Sequence, residues 1–202
     1  MLLKYNNWLA FLGSVLVYFF LHEGLHFSIS LCYDEFHKLI FHLYGPEIVY
    51  ITIVENRKGF QWFLISGMSN MFTIALGYAL YLIKRRILEI NIVYLKSFLY
   101  YLTIIMLLVD PLNLSIGPFI YGGDAKGIAT GLGINIYYIQ LVSMVVFLIN
   151  RELAAQFILQ SGVQVKSCIL KPINKNKFIE AVNRLLLKRS DKSPRIHKIS
   201  GS

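Results

Sequence analysis

The sequence predicts an α-helical integral membrane protein. About four transmembrane helices are expected, with a small strand or hairpin between the first two and a basic tail. Three observations carry this. Apolar residues make up 56% of the chain and charged residues only 15%, a membrane composition rather than a soluble one. Four apolar stretches approach or reach the length needed to cross about 30 Å of hydrocarbon. Charge is also segregated: residues 1–150 carry nine Lys/Arg against eight Asp/Glu, and residues 151–202 carry eleven against three. The chain therefore divides into a membrane-embedded core over 1–150 and a basic tail over 151–202. Because nearly all of the net charge of +9 resides in the tail, a nucleic-acid partner is not expected for the protein as a whole. Cys32 and Cys168 have no metal-ligand spacing and suit packing as small apolar residues. The N-terminal apolar run lacks a small-x-small cleavage site, so it reads as a retained span.

Span one covers about Trp8 to Leu31, with Tyr5 and Trp8 suited to the interfacial belt. From Tyr33 to Leu43, residues Phe36, Leu39, Ile40 and Leu43 share one helical face, which predicts an interfacial helix. His37 and His42 within it read as surface residues, since nothing spaces them with a carboxylate. Gly45-Pro46 marks a turn. Glu47 to Glu55 is rich in β-branched residues and predicts a strand. Asn56 to Gly59 is a polar turn, and Phe60 to Leu64 either returns as a second strand or opens a helix. A strand here could add an extended peptide along its free edge, or form an ordinary packed hairpin.

Span two is expected over Trp62 to Ile83, with Gly67, Asn70 and Gly77 allowing close helix approach. Lys84-Arg85-Arg86 ends it. Span three is expected over Ile92 to Val109, stopping at Asp110-Pro111. The segment Asp110 to Gly133 combines prolines, glycines, Asn113, Asp110 and Asp124. Such a composition predicts irregular backbone, tolerated in a membrane only when buried in protein or lining a wet cavity. Span four is expected over Ile134 to Ile149, with Glu152 to Leu159 extending it. In the tail, Asn176 to Arg189 reads as a basic amphipathic helix suited to anionic lipid, and Ser190 to Ser202 as disordered.

The residues that carry chemistry are His22-Glu23-Gly24-Leu25-His26, inside span one. This is the H-E-x-x-H pattern. On a helix the two histidines lie one turn apart on one face, where they can hold one tetrahedral zinc. Glu23 then sits beside the metal, placed to take a proton from a bound water. Two histidines and a carboxylate inside a span are costly, which favours function over packing. Asp110 and Asp124 are the only acidic residues between Glu89 and Glu152. One of them is the natural third ligand, completing a His₂-carboxylate set with an open fourth position.

The arrangement from Trp8 to Ile149 resembles the site-2-type intramembrane zinc metalloproteases. His22-Glu23-Gly24-Leu25-His26 matches the family's metal motif in a first core span. Gly67-Met68-Ser69-Asn70 resembles its Gly-Pro-x-x-Asn-like element, with Met68 in place of Pro. Asn113, Pro118 and Asp124 resemble its distal Asn-Pro-Asp-Gly element, with altered spacing and with Gly122-Gly123 preceding Asp124. The resemblance implies Zn2+ as cofactor, His22, His26 and Asp124 as ligands, with Asp110 a competitor, and Glu23 as catalytic base. It implies hydrolysis of a peptide bond within a transmembrane helix of a substrate protein. Asn70 and Asn113 are the candidate contacts to substrate backbone or oxyanion. The location implied is the cell membrane, multi-pass. Two other readings use the same residues: a non-proteolytic membrane scaffold that keeps the zinc site, and a metal-binding or transport protein. Positive-inside counting places both termini in the cytoplasm, whereas the resemblance implies the reverse.

Overall fold

The computed structural model describes residues 2–42, 45–120 and 123–161. The chain divides into two compact units, Met1–Gln164 and Val165–Ser202. The expected tail helix and disordered end fall in the second unit, outside the described residues.

The first unit is a helical bundle carrying one small antiparallel sheet. Its elements are α1 (Leu2–Cys32), β1 (Phe36–His42), β2 (Gly45–Tyr50), α2 (Gln61–Leu82), α3 (Lys84–Glu89), α4 (Val93–Ile116), α5 (Gly123–Leu132) and α6 (Ile136–Gln160). Four segments are long and apolar enough to cross a membrane: Asn7–Cys32, Gln61–Leu82, Val93–Phe119 and Ile136–Gln160. These are the features of a multi-pass helical membrane protein.

The bundle buries polar side chains among its apolar ones and turns large apolar side chains outward. On α1 the buried residues are Ala10, Ser14, Tyr18, His22, His26 and Ser30, every fourth position along the helix. Leu9, Leu12, Leu16 and Phe20 are exposed on it. In water this pattern would be inverted; in lipid it is the stable one, because buried polar groups find partners only between helices. Ser14 Oγ, for example, reaches the carbonyls of Ala10 (2.7 Å) and, on α4, Phe98 (2.8 Å). Helix α2 repeats the logic, burying Ser66, Gly67, Ser69, Asn70, Thr73 and Gly77 while Met68, Met71 and Phe72 face outward.

Helix α4 does not stop at Asp110-Pro111 as expected, but runs through Pro111 to Ile116. Proline has no N–H, so the carbonyl four residues earlier, Leu107, loses its helical partner. Asn150 on α6 supplies the replacement, donating from Nδ2 to that carbonyl at 2.8 Å. Tyr78 Oη in turn donates to Asn150 Oδ1 at 2.6 Å. The helix is continuous because a neighbouring helix satisfies the freed acceptor.

The segment after α4 is also more regular than expected. A 3₁₀ turn over Gly117–Phe119 leads towards α5, whose Gly127 and Gly131 lie against α2. A Cβ on Gly127 would fall 2.0 Å from Ser66 Oγ, and one on Gly131 only 2.1 Å from the backbone nitrogen of Phe63. No side chain fits there, so glycine permits the contact. Asn135 caps α6 by accepting from the Tyr137 N–H at 3.0 Å.

The stretch expected as an interfacial helix, Tyr33 to Leu43, is instead mostly β1. Asp34 adopts the left-handed conformation (φ 55°), which breaks the helical run after Cys32. Glu35 then ties the chain across: its carboxylate accepts from the Thr52 N–H (3.0 Å) and Oγ1 (2.9 Å). β1 pairs antiparallel with β2, from Phe36 opposite Tyr50 to His42 opposite Gly45, with an irregularity between Phe36 and Lys38. The expected Glu47–Glu55 strand therefore exists but ends at Tyr50. Val54–Asn56 forms a 3₁₀ turn. The strand's partner precedes it in sequence, and Phe60–Leu64 opens α2 rather than a second strand.

Candidate metal centre

Four helices build the site. His22 and His26 come from α1, Ser69 and Asn70 from α2, Asp110 from α4 and Asp124 from the first turn of α5. His22 Nε2 and His26 Nε2 lie 3.2 Å apart. Asp124 Oδ2 lies 3.5 Å from the first and 3.3 Å from the second. Both histidines are buried, at 5% and 3% exposure. These three groups can hold a metal ion between them.

The far side of each ring explains why the Nε2 atoms converge. His26 Nδ1 lies 2.7 Å from the Ile65 carbonyl, which only accepts. The ring proton therefore sits on Nδ1, and the lone pair on Nε2. Ser69 Oγ lies beside that nitrogen at 2.8 Å. His22 Nδ1 faces Asp110 Oδ1 at 3.2 Å, in a contact bent away from ideal hydrogen-bond geometry. Asp110 thus meets the ring nitrogen opposite the convergence point, and Asp124 alone of the two carboxylates faces both Nε2 atoms.

Asp124 reaches the site because α5 packs so closely on α2. Asn70 then fixes it, donating from Nδ2 to Asp124 Oδ2 (3.0 Å) and to the Ser66 carbonyl (2.8 Å). Both acceptors lack protons, so the amide orientation follows from chemistry. In this arrangement the Asn70 N–H groups are turned to protein acceptors, and its Oδ1 is buried without a partner. Asn113 is half-buried on α4, three residues beyond Asp110. Glu23 is half-buried on α1, within electrostatic reach of His26, His22 and Asp124.

The sheet approaches the same site. Tyr50 Oη, at the end of β2, lies 3.4 Å from His26 Nδ1. The Tyr50 ring packs edge-on to Trp62, centroids 5.6 Å apart. Arg57 stacks over both rings, 5.0 Å from Tyr50 and 4.3 Å from Trp62, and Nε donates to the Thr52 carbonyl at 3.3 Å. Cation–π contacts of this kind contribute about 0.5–2 kcal/mol as they become desolvated. Burial pushes the Tyr50 phenol well above its ordinary range, helped by Asp124 and Glu23. Burial draws the Arg57 guanidinium below its ordinary value, opposed by Tyr50 and Glu35.

Residue types and spacing point to His22 and His26, with Asp110 or Asp124 as the third ligand, but not to Ser69, Tyr50, Tyr18 or Thr73 as their neighbours. Tyr18 had a readable signal, being one turn before His22 on the same face. Compared with known proteins, the chain matches no family model, no curated protein and no solved structure.

Proposed function

We propose that this protein is an intramembrane zinc metalloendopeptidase, hydrolysing a peptide bond within a transmembrane helix of a membrane-protein substrate. The observation that carries the reading is the convergence of His22 Nε2, His26 Nε2 and Asp124 Oδ2. A tetrahedral zinc with bonds of about 2.0–2.1 Å separates its ligands by about 3.3–3.4 Å. The three separations here are 3.2, 3.3 and 3.5 Å. Two neutral imidazoles and one carboxylate are also the donor types zinc favours, and three protein ligands leave a fourth position for water.

When bound there, zinc supplies a Lewis acid and lowers the pKa of a coordinated water. The protein residues do the rest. Glu23, next to His22 in the chain and near both ligand histidines, accepts the proton of the attacking water and returns it to the leaving amine. Asn70 holds the Asp124 carboxylate in place. A helical substrate must unwind before attack, because its carbonyls are hydrogen-bonded within the helix. The β1–β2 hairpin, whose Tyr50 touches His26, offers extended backbone beside the site to which an unwound segment can pair. The bilayer itself is the second partner: the exposed apolar faces of α1 and α6 suit lipid. The basic tail suits anionic headgroups.

The test is cleavage of a labelled transmembrane peptide by the purified chain in liposomes. Cleavage that stops with a chelator and returns with zinc supports the reading. Bound zinc without cleavage would favour the scaffold alternative, and metal uptake into the liposomes would favour transport.

A further inference from the structure

We propose that Asp110 is the positioning residue of His22: its buried carboxylate fixes the ring proton on Nδ1 and so aims the Nε2 lone pair at the metal. The inference rests on the metal-centre reading above and adds a residue that the H-E-x-x-H motif does not contain.

Asp110 is fully buried in α4 (0% exposed), at a depth where a carboxylate is costly unless its oxygens are occupied. They are. Oδ1 accepts from Tyr18 Oη on α1 and faces His22 Nδ1, and Oδ2 accepts from Thr73 Oγ1 on α2. Three helices thus meet at one side chain. The close approach of α2 to α4 is set one turn away, where a Cβ on Gly77 would lie 3.1 Å from the backbone of Met106 and Leu107.

The two ligand histidines solve one problem by different means. A histidine ligand must carry its proton on the nitrogen that does not bind. His26 is held by a backbone oxygen, the Ile65 carbonyl. His22 Nδ1 makes no geometrically ideal hydrogen bond among the described residues; the Asp110 carboxylate, 3.2 Å away, stands where that carbonyl would and needs only a small rotation of the ring to accept its proton. A carboxylate also makes the opposite lone pair a stronger donor. Tyr18 and Thr73 hold the carboxylate from either side, so its position does not depend on His22. A residue that merely packed α4 against α1 would have no bearing on which nitrogen of His22 carries the proton.

The experiment uses the full chain purified in detergent, with its histidines isotopically labelled. Ring nitrogen shifts in the metal-free protein report each tautomer, and chelator competition reports zinc affinity. Asp110→Asn is nearly isosteric. It is expected to weaken zinc binding by about 10–100-fold, to keep one site at saturating zinc, and to give His22 a population protonated on Nε2 while His26 is unchanged. Thr73→Val, which leaves the carboxylate in place but loosens it, is expected to shift both readouts less in the same direction, with Thr73→Ser restoring them. Wild-type affinity together with an unchanged His22 tautomer in Asp110→Asn would overturn the inference. Should that variant not fold, wild-type behaviour of Thr73→Val would overturn it. A wild-type chain that binds no zinc would overturn the metal-centre reading instead, and the tautomer comparison would still decide the role of Asp110.

Discussion

His22 Nε2 stands 3.2 Å from His26 Nε2, while the Nδ1 atoms of the two rings turn away to Asp110 and to the Ile65 carbonyl. With both ring protons on Nδ1, as proposed for His22, the two Nε2 lone pairs face each other and a cation between them relieves the repulsion. The arrangement stores its meaning in that pairing, and the following outcomes depend on it.

The two buried carboxylates should behave differently. Asp124→Ala removes a group facing both Nε2 atoms and is expected to lose stoichiometric metal. Asp110→Asn is expected to retain one metal per chain when zinc is in excess. Metal content by atomic emission after desalting checks this, and the opposite pattern would move the third ligand to Asp110.

The α5–α2 contact should control the site from a distance. Gly131→Ala would drive a Cβ to within 2.1 Å of the Phe63 backbone, which a rotamer change cannot relieve. Overpacking of this kind costs about 1–3 kcal/mol or more, and here it must push α5, with Asp124, off the histidines. Lower thermal stability and reduced zinc occupancy are expected together. Stability lost with zinc affinity intact would contradict the proposed route.

Helix α4 should depend on α6. Asn150→Leu leaves the Leu107 carbonyl without a donor beside Pro111. A loss of about 1–2 kcal/mol is expected, read as a lower midpoint in detergent thermal unfolding, with helicity near Pro111 the first to fray in hydrogen exchange. Unchanged protection there would mean that another group satisfies the carbonyl.

Much of this was legible in the sequence. Four apolar stretches became four helices long and apolar enough to cross a membrane, since crossing lipid demands length and hydropathy together. His22 and His26 were legible because a spacing of four on a helix fixes their common face. What was not legible depends on distant partners. Phe36, Leu39, Ile40 and Leu43 fit a helical face, and only pairing with Gly45–Tyr50 and the Glu35–Thr52 tie make that stretch a strand. Pro111 reads as a stop until Asn150, 43 residues beyond Leu107, is brought against the Leu107 carbonyl. Asp110 reads as a rival ligand because sequence cannot say which ring nitrogen it meets. The four-residue spacing of Gly127 and Gly131 was a readable sign of close helix packing, one that an expectation of irregular backbone overlooks.

Membrane orientation is set by loop charge. Positive-inside counting expects a reporter fused after Ser202 to be active in its cytoplasmic form. Activity only outside the cytoplasm would support the orientation implied by the site-2 resemblance.

The most direct test of the whole account compares wild type with Glu23→Gln in the liposome cleavage assay, at equal metal content. Glu23 is not one of the three converging ligands, so the variant is expected to bind zinc like wild type. It is expected to lose cleavage by at least the 10²–10⁴-fold that general acid–base catalysis contributes. Cleavage at the wild-type rate by a zinc-loaded Glu23→Gln protein would contradict the account.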